Sequence, residues 1–118
     1  MKIKISDLLS SHSSALALAD KPLSVKTSFV LARQLRAIKS ELETYDAERL
    51  KLCKRYGKLD EKSKRYVFEG EKQAEFEAAY NELVAQEVEL PEDKLSLENE
   101  DIKLSANELI ALEALIIL

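Results

Sequence analysis

The sequence predicts a mainly α protein with a minor β part. The architecture is a long antiparallel αα-hairpin, a small β element from the N-terminal strand and the 88–104 region, and a short C-terminal helix. Three observations carry this prediction. Leu31, Leu35, Ile38, Leu42, Tyr45, Arg49, Leu52 and Tyr56 step alternately by four and three, an a/d stripe with Arg49 as its one charged member. Neither breaker residue falls inside the stripe, since the 118 residues hold two Gly and two Pro in all. Ser105-Ala-Asn-Glu108 has capping-box spacing ahead of an apolar run. The length suits one domain spanning 1–118.

Each element follows from local pattern. Met1 to Ile5 alternate, which places Ile3 and Ile5 on one face of a strand. Ser6 is positioned to cap a helix running to about Ala19, with Asp7 in its first turn and Leu8, Leu9, Ala15, Leu16 and Ala19 available for burial. Pro22 breaks that helix. Ser24 or a neighbour caps the long helix, about 24 to 56, with Lys54 and Arg55 in its last turn and Gly57 at C′. At 1.5 Å per residue such a helix is roughly 50 Å long and needs an antiparallel partner, another subunit, or both. Residues 58–70 read as a polar connecting loop with a short extended patch at Tyr66-Val67-Phe68. A second helix from about 71 to 87 turns one apolar face of Phe76, Ala79, Tyr80, Leu83 and Val84 onto the first. Leu95, Leu97, Ile102 and Leu104 punctuate an acidic stretch in short alternating segments, predicting two small strands that pair with Ile3–Ile5 as a minor sheet. The final helix carries Leu109, Ile110, Leu112, Leu115 and Ile116, and the apolar end Leu115 to Leu118 is expected to dock on its own hairpin or on another copy.

Composition restricts function. One Cys permits no internal disulfide and suits a reducing compartment. No apolar run approaches the roughly 20 residues of a membrane span, and the start lacks the apolar stretch of a signal peptide. No membrane role and a cytoplasmic location are expected. The net charge of −4 hides a division: residues 1–58 carry 12 bases and six acids, the remaining 60 carry six bases and 16 acids. Attraction between packed segments of opposite sign is the plain cause; a charged surface for a partner is the functional one.

No catalytic, cofactor or metal site is expected. His12 and Cys53 are the only residues of their kinds, and a nucleophilic pair also needs an orienting group. Zinc would require soft ligands the chain lacks. The many carboxylates do not form an EF-hand ladder, and glycines at 57 and 70 cannot make a phosphate loop. Candidate core or interface positions are Leu31, Leu35, Ile38, Leu42, Tyr45, Phe76, Leu83, Leu115 and Ile116. A candidate basic tip comprises Arg49, Lys54, Arg55, Lys58, Lys64 and Arg65, with Tyr56 and Tyr66 among them. The pI of about 5.1 argues against nucleic acid as the partner. Arg49 on the stripe either pairs with an acid such as Glu75 or Glu82, or marks where the stripe leaves the core.

Three stretches resemble a family of small tailed-phage and prophage proteins of unassigned role. They are Lys26-Thr-Ser-Phe-Val-Leu-Ala-Arg33 running on to Glu48 to Gly57; Glu75-Phe76 followed by Glu82-Leu83 and Glu87-Val-Glu-Leu90; and Leu104 to Leu112. The resemblance transfers no functional residue. It implies a phage-encoded accessory or assembly protein in the bacterial cytoplasm. With no catalytic site expected, the chain reads as a non-enzymatic protein that acts by protein–protein binding and oligomerises through the exposed part of the hairpin or the apolar C-terminus. Two rival expectations are an inhibitor of a host defence protein that uses the acidic half, and a nucleic-acid-binding hairpin that uses the basic tip.

Overall fold

The computed structural model describes residues 1–117. Its order is β1 (Lys2–Lys4), α1 (Ile5–Ala19), α2 (Val25–Tyr56), β2 (Lys58–Asp60), β3 (Arg65–Val67), α3 (Glu71–Val84), β4 (Glu87–Glu89), β5 (Leu95–Ser96), α4 (Ala106–Leu112) and β6 (Ile116–Ile117). Helices hold 58% of the chain, so the protein is mainly α with minor β.

α2 is the axis of the molecule. Its 32 residues account for most of the 53 Å length, and Ser24 caps it by accepting the Thr27 amide. The eight stripe positions are all buried or half-buried, as a heptad seam requires. Two shorter helices lie against α2, one on each half. α1 packs on the first half through Leu8, Ala15 and Leu18, which join Leu31 and Ile38 in the core. α3 returns along the second half, so the expected αα-hairpin forms. It ends at Val84, a little before the predicted 87.

The start of α1 differs from the sequence expectation. The helix begins at Ile5, and Lys4 rather than Ser6 stands at the cap without a side-chain bond. A distant partner replaces the cap: the Ile5 amide donates to the Gln86 carbonyl at 3.0 Å. The buried face also shifts, to Ile5, Leu8, Ser11, Ala15 and Leu18, leaving Leu16 and Ala19 exposed.

The β structure is three separate two-stranded pairs among the described residues, not one minor sheet. β1 pairs antiparallel with β4, Ile3 opposite Val88. β5 runs parallel to β6, Leu95 opposite Ile116, with α4 as the crossover. Residues 97–104 form no strand, although Leu97, Ile102 and Leu104 pack on the core. The third pair corrects the predicted loop at 58–70: β2 and β3 make a hairpin, Leu59 opposite Tyr66. Asp60 ties its turn, accepting from the Ser63 hydroxyl at 2.9 Å and the Lys62 amide at 3.2 Å.

Gly57 caps α2, but not as the left-handed residue expected at C′. Its φ of −118° is open to any residue; close approach is what requires glycine, since an added Cβ would lie 2.8 Å from the Phe68 ring. Gly70, at φ +59° before α3, is the position where backbone conformation demands it.

The main core therefore sits at one end, where α1, the first half of α2, α4 and β5–β6 converge on Leu8, Leu18, Ile38, Leu95, Leu112 and Leu115. The other end is held by aromatic stacking. Phe68 stacks on Phe76 at 4.2 Å, Phe76 on Tyr80 at 5.9 Å, and Tyr80 meets Tyr45 edge-on at 6.4 Å. Ser105 and Glu108 form the predicted capping box. Of the apolar end, Leu115 and Ile116 are buried in this chain's own core and Ile117 is exposed; Leu118 lies outside the described residues.

Candidate interaction surfaces

The candidate core or interface positions divide by depth. Leu31, Ile38, Tyr45, Leu115 and Ile116 are buried within the single chain, while Leu35, Leu42, Phe76 and Leu83 are half-buried at helix contacts. The first five have no surface to offer a partner. A large polar residue joins them: Gln34 is fully buried, its Nε2 donates to the Asp93 carbonyl, and its Oε1 finds no partner among the described residues. Beside it Arg33 bonds the Asp93 carboxylate at 2.9 Å. These two side chains pin the acidic loop after β4 to α2. Arg33–Asp93 is also where opposite charge joins the two halves of the sequence through side chains.

The basic tip is an assembled feature. Lys54 and Arg55 end α2, Lys58 and Arg65 lie on the hairpin strands, and Lys64 takes a left-handed φ of +56° in its turn; all five are exposed. Arg55 stands over the Tyr56 ring at 5.3 Å. Arg49 does not belong to this cluster in the same way. It leans along its own helix, with Asp46 Oδ1 at 3.8 Å and Cys53 Sγ at 4.0 Å, and it pairs with neither Glu75 nor Glu82. It is half-exposed at the edge of the stripe, where an ion pair contributes little.

His12 and Cys53 are not brought together. His12 lines a shallow cleft with Leu42, Tyr45 and Asp46, whereas Cys53 is buried eight residues beyond Tyr45, roughly 12 Å of helix rise. Among the described residues, no group of three His, Cys, Asp or Glu side chains is placed to hold a metal ion. No described helix is long and apolar enough to cross a membrane.

Surfaces that the heptad stripe concealed are the exposed apolar ones. Val25 and Phe29, one turn apart on the side of α2 opposite the core, are 88% and 61% exposed; Leu50, on the same side, is 40% exposed. Leu59 and Val67 are exposed at the hairpin, and Ile110 on α4 borders a cleft of about 620 Å³ against α1. The floor of that cleft is fixed by the Ser11 hydroxyl, which donates to the Ala111 carbonyl at 2.6 Å. The signal for the α2 surface was present in the sequence as the spacing of Val25 and Phe29, off the stripe by half a turn.

At the start of α2 a carboxylate completes the cap. Glu100 accepts the Ser24 hydroxyl at 2.5 Å and the Ser24 amide at 3.0 Å. Those bonds hold its carboxyl below the usual carboxylate value.

Comparison with protein-family models, with curated proteins and with solved structures finds no match to this chain.

Proposed function

We propose that this chain is a non-enzymatic binding protein, working by protein–protein contact and self-association. Its setting would be that of the phage and prophage accessory proteins it resembles, in assembly or host interaction within the bacterial cytoplasm. One observation carries the reading. The core is closed within the single chain, yet Val25 and Phe29 stand side by side in water on the free face of the longest helix. Paired exposure of large apolar side chains costs solubility and marks contact surfaces.

Light scattering on the purified full-length chain tests the self-association part. A mass that rises with concentration supports it; a clean monomer at the highest attainable concentration sinks it. The basic tip is separated from this reading by retention on immobilised nucleic acid at low and high salt. Strong retention lost as salt rises would replace protein contact with nucleic-acid binding as the activity.

A further inference from the structure

The free face of α2 is complementary to itself. Phe29, Ala32 and Arg36 step by three and four; Glu43, Ala47 and Leu50 step by four and three. The two triplets are mirror images about the midpoint between Lys39 and Ser40, and both lie on the side of the helix turned away from the buried stripe. When a second copy is laid against this face antiparallel, with a two-fold axis through that midpoint, Phe29 meets Leu50, Ala32 meets Ala47 and Arg36 meets Glu43. By symmetry each pair occurs twice.

From this we infer that α2 forms a homodimer through its outward face, antiparallel and centred between Lys39 and Ser40. The proposal rests on the self-association reading above and specifies its surface. Charge supports the choice of a second copy. Arg36 and Glu43 are exposed and have no ion-pair partner among the described residues, whereas Arg33, Asp46 and Glu48 on the same helix are engaged with Asp93, Arg49 and Lys51. A parallel, in-register dimer would set Arg36 against Arg36 and Glu43 against Glu43, so the same two residues select the antiparallel arrangement. Packing agrees. Ala32 and Ala47 let the backbones approach on either side of the axis, and Phe29 and Leu50 cover each other at the ends. The contact runs about 32 Å along α2, from Phe29 to Leu50 at 1.5 Å per residue.

Sedimentation velocity on the full chain over a wide concentration range tests it, with circular dichroism confirming that each variant keeps its helix. The native chain is expected to show a monomer–dimer equilibrium. Arg36→Glu and Glu43→Arg each weaken the dimer by about tenfold or more, since each sets like charges across the axis twice. The double variant Arg36→Glu/Glu43→Arg restores it. In a Cys53→Ser background, Ala32→Cys with Ala47→Cys yields a disulfide-linked dimer on mild oxidation. A dimer indifferent to both single reversals overturns this face while leaving self-association through another surface standing. A native chain that stays monomeric throughout overturns both.

Discussion

The hydroxyls of Tyr45 and Tyr80 meet at 2.7 Å inside the α2–α3 contact, which gives the buried Tyr45 a polar partner. Burial, and then the bond to Tyr80, push the Tyr45 phenol well above its ordinary 10.0. The folded chain thus holds that proton more tightly than the unfolded one. The associated stability is complete below pH 10 and is lost as the pH rises toward the folded value. Tyr45→Phe is expected to cost about 1 kcal/mol at neutral pH and to remove part of the alkaline loss of stability. Urea titrations across that range check both, and Tyr45→Phe/Tyr80→Phe should cost less than the two single changes together. Gly57 makes a second residue-scale case. An added methyl would sit 2.9 Å from the Cys53 carbonyl oxygen, which also accepts the Gly57 amide and so cannot retreat freely. Gly57→Ala is expected to destabilise the protein by about 1–3 kcal/mol, measured by thermal or urea unfolding.

At the scale of elements, α2 was legible because a four–three alternation kept from Leu31 to Tyr56 admits no strand and no short helix. The capping box of α4 was equally plain, since both of its partners lie within four consecutive residues. What escaped the sequence was whatever depends on distant partners. α1 begins at Ile5 because Gln86, far along the chain, takes its first amide; no local capping pattern encodes that. The β2–β3 hairpin turns on Lys64 in a left-handed conformation where glycine or asparagine would have advertised it. β5 and β6 are two residues each and exist because Leu95 and Ile116 are drawn into one core. The start of α2 likewise borrows Glu100. Because its folded carboxyl titrates below the ordinary 4.5, its contribution is present above that pH and is lost as acid protonates it. Glu100→Gln is expected to flatten the acid side of the stability curve, seen as a smaller fall in melting temperature when pH is lowered through the carboxylate range.

On the whole-molecule scale, the radius of gyration of 17.3 Å exceeds the roughly 13.5 Å of a compact chain this long, because α2 outruns either helix packed on it. The core is concentrated at the α1–α4 end, while α3 contributes no fully buried residue and depends on ring stacking. This asymmetry could not be read from periodicity, which shows that a face is apolar but not how deeply it is covered. The same limit hid the candidate contact surface. Its apolar members are few and separated by Arg36 and Glu43, so the pattern reads as a solvated face until the buried side of α2 is known.

The pairing of β1 with β4 has a consequence for how the chain closes. It joins Lys2 to Glu89 across about three quarters of the sequence, at the place where the beginning of α1 abuts the end of α3 halfway along α2. Both helical hairpins can form from neighbouring segments; this seam must wait for both, and it closes a loop of most of the chain. α2 is then a splint shared by two leaves, and β1–β4 is the clasp that makes them unfold together rather than one at a time.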